Sequence, residues 1–281
     1  MAKNDNLGDF LKDVADSIRT KTQTTELINA QDFSDKILNI SSGENTLKKL
    51  IDTRHSAGYL FWNYQGTNVD DLIQYSDTEN ATDFLYMFSE CRALNKVPLL
   101  DTSKVISTGY TFSYCQKITT IPLWDTGKVT YMYAMFNQCK SLTNLPPLNT
   151  SKVNNMGYMF AGCASMIEAP TLDTSRVTEA GSMFGGCTKL TTVPAYNMSS
   201  CKNLSYIFER CSKLKSILMT NIGTDLDIHY STQFEREDLL VILNNLKTVT
   251  STKKLTMGAT NLAKLTDEDK AIATNKGWTL A

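Results

Sequence analysis

Tyr131 to Cys163 reads YMYAMFNQCKSLTNLPPLNTSKVNNMGYMFAGC, and within it the phrase Met-Phe-x-x-Cys occurs twice with the same internal spacing. Extending outward finds the Phe-x-x-Cys pair at Phe88/Cys91, Phe112/Cys115, Phe136/Cys139, Phe160/Cys163, Phe184/Cys187 and Phe208/Cys211, a step of 24 residues each time. Other columns keep the step. Leu94, Ile118, Leu142, Met166, Leu190 and Leu214 follow the cysteines, and Pro98, Pro122, Pro146, Pro170 and Pro194 come four later. A polar corner follows, as in Asp101-Thr102-Ser103 and Asp173-Thr174-Ser175, closed by Val105, Val129, Val153 and Val177. Cys201 takes the next place in that valine column, so all seven cysteines fall on apolar columns. A motif that recurs on a fixed period sets a geometry: each unit is too small to bury its own apolar face, so successive units must stack.

Within one unit, Val153, Met156, Met159, Phe160 and Cys163 fall at helical spacing, and Ser151 is placed to cap a first turn. The other half, SLTNLPPLNT, reads as a short strand with Leu142, Leu145 and Leu148 inward and Pro146 at its end. The expected fold is therefore α/β, a solenoid of 24-residue coils, each made of strand, corner, short helix and return. Stacking also decides the thiols. Zinc sites need converging ligands such as C-x-x-C pairs, which this chain lacks, and parallel Cβ vectors on successive coils make poor disulfides. A buried, reduced cysteine ladder is expected.

At 281 residues with a formal charge of -1 and 42% hydrophobic content, the chain can bury a sizeable core and gives no electrostatic reason to expect nucleic acid or an anionic membrane as partner. No apolar run approaches a membrane span, and MAKNDNLGDFLKDV has the wrong polarity for a signal peptide, so synthesis and folding in a cytoplasm are expected.

The flanks differ from the repeats. LIDTRHSAGYLFWNY reads as a degenerate coil with Tyr64 in the cysteine column, and LIQYSDTENATDFLYMF keeps Ile73, Asp77-Thr78 and Ala81 in their columns. Downstream, STQFEREDLLVILNNLKTV and LTDEDKAIATNKGWTLA read as helices, the second with Thr266 and Asp269 as a capping-box pair and Gly277 at its stop. Lys253 and Lys254 are expected to protect a strand edge. Upstream, Leu7, Phe10, Leu11, Val14 and Ile18 line one amphipathic helix and Phe33, Ile37 and Leu38 a second, ahead of a linker at SSGEN. The domain reading is an N-terminal helical attachment segment at 1–45, the solenoid at 46–220 and an α/β cap at 221–281.

The coil pattern MFxxCxxLxxxPxLDTSxV is similar to leucine-rich repeats of the BspA type over about residues 47 to 220. The N-terminal LKDVADSIRTKTQTTELINAQDFSDKI resembles the N-terminal module of many bacteriophage tail and virion proteins, and LAKLTDEDKAIATNKGWTLA resembles the closing segment of phage proteins with such repeats. The resemblance implies a non-enzymatic virion structural protein, a tail or particle-surface component synthesised in the bacterial host and present in several copies. It would attach to other virion proteins through Phe10, Val14, Ile18 and Phe33 and present the solenoid to a host-surface glycan or protein. A bacterial cell-surface adhesin of the leucine-rich repeat type is the alternative. No binding residue carries over, because the repeat motif is a packing motif.

Candidate recognition residues come instead from the strand-face positions between inward residues: Asn95 and Lys96, Thr119 and Thr120, Thr143 and Asn144, Ile167 and Glu168, Thr191 and Thr192. They form a shallow hydroxyl and amide surface suited equally to glycan hydrogen bonding and to solvation. Trp124 and Tyr196, the aromatic residues that would favour sugar, sit in a column that reads as half buried. Two sharper readings compete with plain ones. Asp225, Asp227 and His229 alternate as metal ligands would, or simply line an exposed strand, and Lys104, Lys128, Lys152 and Arg176 form either an anion-attracting column or a solvated face. Only His55 and His229 supply imidazole, so no catalytic site, cofactor site or metal site is expected.

Overall fold

The computed structural model describes residues 57–69, 78 and 80–281. The N-terminal helices, the SSGEN linker and Phe10, Val14, Ile18 and Phe33 lie outside the described residues, as do His55, Ile73 and Asp77.

Parallel bridges join Asp83 to Ser107, Ser107 to Tyr131, Tyr131 to Asn155, Asn155 to Glu179 and Glu179 to Asn203, so one coil advances every 24 residues. Strand pairing on the opposite side is short. Glu168 bridges Thr192, and β1 (Thr192–Val193) pairs in parallel with β2 (Ser216–Ile217). Earlier, Ala57 N donates to Asp83 O and Phe61 stacks on Phe88, so the stretch read as a degenerate coil does join the stack, with Tyr64 packed against the core.

The short helix expected in each coil does not form. Residues 153–163 make successive tight turns in which the N–H groups alternate between two destinations. Met159, Ala161 and Cys163 donate to Met156, Tyr158 and Phe160 within the coil at 3.1, 3.0 and 3.0 Å, whereas Tyr158, Phe160 and Gly162 donate to Gly181, Met183 and Gly185 of the next coil at 2.9, 2.9 and 2.7 Å. Tyr158 (φ 55°) and Gly162 (φ 74°) are left-handed, which no α-helix accommodates. A helix would spend every N–H inside its own segment and leave the stacked coils without backbone cohesion, while the turns use half of them to join neighbours. Ser151 accordingly caps nothing. Its N–H and hydroxyl donate to Asn149 Oδ1 at 3.2 and 2.8 Å, which fixes the corner.

Inside the coils, Phe88, Phe112, Phe136, Phe160, Phe184 and Phe208 form a continuous ring stack with centroid steps of 5.5, 5.6, 5.7, 5.5 and 6.1 Å. Trp124 and Tyr196, expected to be half buried, are 2% and 1% exposed and pack on this stack, so neither can serve as a surface platform. Of the inward leucines, Leu142 and Leu148 are buried and Leu145 is half-buried.

The C-terminal region is α/β. Strands β3 (Leu226–Asp227), β4 (Lys253–Thr256) and β5 (Trp278–Leu280) form a parallel sheet in that order, connected through α1 (Arg236–Asn245), α2 (Ala259–Leu262) and α3 (Asp267–Thr274). Thr266 and Asp269 make the expected capping box, and Gly277 is left-handed (φ 88°) just beyond the helix. Lys253 and Lys254 do not guard an edge, because β4 is the central strand. The neighbours that cover it, β3 and β5, come from segments far away along the chain, and only Leu255 of the strand is fully inward. Among the described residues no helix is long and apolar enough to cross a membrane.

Candidate recognition site

Each coil uses its polar groups first to hold its neighbours. The six Phe-x-x-Cys thiols donate to the Phe carbonyl of the preceding coil, Cys91 to Phe61, Cys115 to Phe88, Cys139 to Phe112, Cys163 to Phe136, Cys187 to Phe160 and Cys211 to Phe184, at 2.9 to 3.2 Å. All seven cysteines are free and buried. Burial pushes the thiols of Cys115, Cys139, Cys163 and Cys187 well up, and that of Cys211 up to about 12. They are poor nucleophiles and poor metal ligands in this state. At the corners, the buried hydroxyls of Thr126, Thr150 and Thr174 donate to Asn149, Asp173 and Asn197 O of the next coil at 3.0, 2.9 and 3.0 Å. Asp101 and Asp173 accept from Ser103 and Ser175, which lowers both carboxyls from their ordinary value.

The strand-face residues do come together. Asn95, Thr119, Thr143, Ile167 and Thr191 form one column and Lys96, Thr120, Asn144, Glu168 and Thr192 the next. All are exposed except Thr191 and Thr192, which are half-buried. Several hydroxyls are already engaged: Thr143 Oγ1 donates to Thr119 O at 3.4 Å and Thr191 Oγ1 to Ile167 O at 3.0 Å. The exposed polar groups of these columns include the amides of Asn95 and Asn144, the ammonium of Lys96, the hydroxyl of Thr119 and the carboxylate of Glu168, beside an exposed Ile167.

The acidic trio does not converge. Asp227 Oδ1 binds His229 Nδ1 at 2.5 Å, while Asp225 Oδ1 accepts from Lys254 N at 2.8 Å. Among the described residues no group of His, Cys, Asp and Glu is arranged to hold a metal ion. Lys104, Lys128, Lys152 and Arg176 are exposed, with Lys104 Nζ 2.6 Å from Asn80 Oδ1.

A second outward feature is a tyrosine ladder on the turn face. Tyr59 stacks on Tyr86 at 4.7 Å and Tyr86 on Tyr110 at 4.4 Å, then Tyr133 lies 5.3 Å from Tyr110 and 5.5 Å from Tyr158. The left-handed backbone at Tyr59, Tyr86, Tyr110 and Tyr158 (φ 54° to 60°) turns these side chains outward. Glycines make room beside them: a Cβ on Gly109 would meet Tyr131 and one on Gly157 would meet Tyr133. Burial against neighbouring rings raises the phenols of Tyr59, Tyr110 and Tyr131, so they remain neutral donors. The signal was present in the sequence as Tyr86, Tyr110, Tyr158 and Tyr206 two places before each Phe, but a helical reading of the segment obscured it.

No curated protein matches the chain at a significant level. Among solved structures, a leucine-rich repeat protein of T. pallidum is 14% identical, covers 63% of this chain and 79% of its own, and superposes with a TM-score of 0.44. A leucine-rich repeat protein of Bacteroides ovatus is 17% identical over 72% of this chain and 64% of its own, with a TM-score of 0.31. One family model matches twice in overlapping placements, at residues 56–171 and 143–236, as a model of a repeated coil would. Those placements span more than half of the sequence, and the chain belongs to the family described as Mycoplasma protein of unknown function, DUF285.

Proposed function

We propose that this chain is a non-enzymatic recognition protein carried in several copies on a bacteriophage particle. In this reading residues 1–45 attach it to other virion proteins through Phe10, Val14, Ile18 and Phe33, and the solenoid faces outward toward a host-surface glycan or protein. One observation carries the recognition part: thiols, corner hydroxyls and half of the turn N–H groups are consumed in joining coil to coil, while the strand-face columns and the tyrosine ladder are left as long outward surfaces. Such surfaces suit extended partners rather than chemistry at one point. The particle part rests on the resemblance of both flanks to phage proteins. A cell-surface adhesin is the second reading, favoured by a family description that names a cellular organism.

The test is immunogold labelling of tagged protein in an infected or lysogenic culture, together with deletion of residues 1–45. Label on purified particles that is lost from the deletion variant, with the solenoid still folded, supports the first reading. Label on cell envelopes and none on particles supports the second.

A further inference from the structure

We draw no further inference here: the strongest candidate, the exposed apolar stripe that Leu99, Leu123 and Pro147 form on successive coils just before the polar corner, carries nothing because nothing in the structure shows what covers it.

Discussion

The Sγ of Cys139 lies 3.0 Å from the carbonyl oxygen of Phe112, one coil back, and that same oxygen also accepts from Cys115 N at 2.9 Å. The Phe-x-x-Cys phrase is thus a joint as well as a core element. The ring stacks on the ring below, and the sulfur closes the second acceptor site of the carbonyl below. Cys139→Ala removes the sulfur but leaves the Phe112 carbonyl its backbone donor, so the expected loss is about 1–2 kcal/mol from one hydrogen bond and a small void. Phe136→Ala, which interrupts the ring stack, should cost about 3–5 kcal/mol. Urea unfolding of the two variants checks the ranking, and equal losses would contradict it.

The thiol ladder also predicts alkaline instability. The folded chain raises the thiols of Cys115, Cys139, Cys163, Cys187 and Cys211, chiefly through burial. In the unfolded chain they ionise near pH 8.5. Above that value the unfolded state has released protons that the folded state still holds, so stability is complete below pH 8.5 and falls as pH rises. Each fully protected thiol contributes about 1.4 kcal/mol per pH unit to that fall. Cooperative unfolding is expected one to two pH units above the free-thiol value, accompanied by a burst of reaction with a thiol reagent. Native protein at pH 7 should react slowly, and denatured protein should show seven thiols without reductant.

Corner threonines should divide into two kinds. Thr150 Oγ1 donates to Asp173 O at 2.9 Å and accepts from Asp173 N at 2.8 Å, so Thr150→Val strips two backbone groups and should cost about 1–3 kcal/mol. Thr102 Oγ1 is buried with no partner, and Thr102→Val should be neutral or stabilising. Melting temperatures of the two valine variants give the comparison. A Thr102→Val protein as damaged as Thr150→Val would mean that the Thr102 corner is built like those of Thr126, Thr150 and Thr174.

How far the sequence could be read follows from what repeats in it. The columns of Phe112, Cys115, Ile118 and Val129 were legible because a buried position tolerates few residues, so identity itself recurs on the period. The local path was not, because Val153, Met156, Met159, Phe160 and Cys163 have the same spacing in a helix and in a chain of turns, and only the left-handed Tyr158 and Gly162 decide between them. The tyrosine ladder was hidden for a different reason. An outward column need not conserve its residue, so Tyr133 replaces Ala134 from the adjacent position and Ser182 breaks the run. Lys253 and Lys254 were misplaced because strand order depends on partners, Leu226 and Trp278, that the local stretch does not mention.

In the C-terminal region one carboxylate joins two helix starts. Asp269 Oδ2 accepts from Arg236 Nε at 2.8 Å and from Thr266 N at 2.9 Å, and Oδ1 accepts from Arg236 Nη2 at 2.6 Å. Its side chain is nearly covered, and the Arg236 fork, followed by the Thr266 N–H, lowers the carboxyl below its ordinary value. A lowered acid contributes stability that is present above its unfolded value of about 3.9 and lost as pH falls through the lower folded value. Wild type should therefore lose thermal stability steeply below about pH 4. Asp269→Asn keeps an acceptor for Thr266 N but no charge for Arg236, so it should melt lower than wild type at pH 7 and by a shrinking margin as the solution is acidified. Arg236→Met should narrow the same margin from the other side, leaving the cap in place without its cation. Calorimetric melts between pH 3 and pH 7 provide the measurement. Parallel curves for wild type and Asp269→Asn across that window would show that Asp269 acts as a neutral cap and that its pairing with Arg236 adds nothing to the fold.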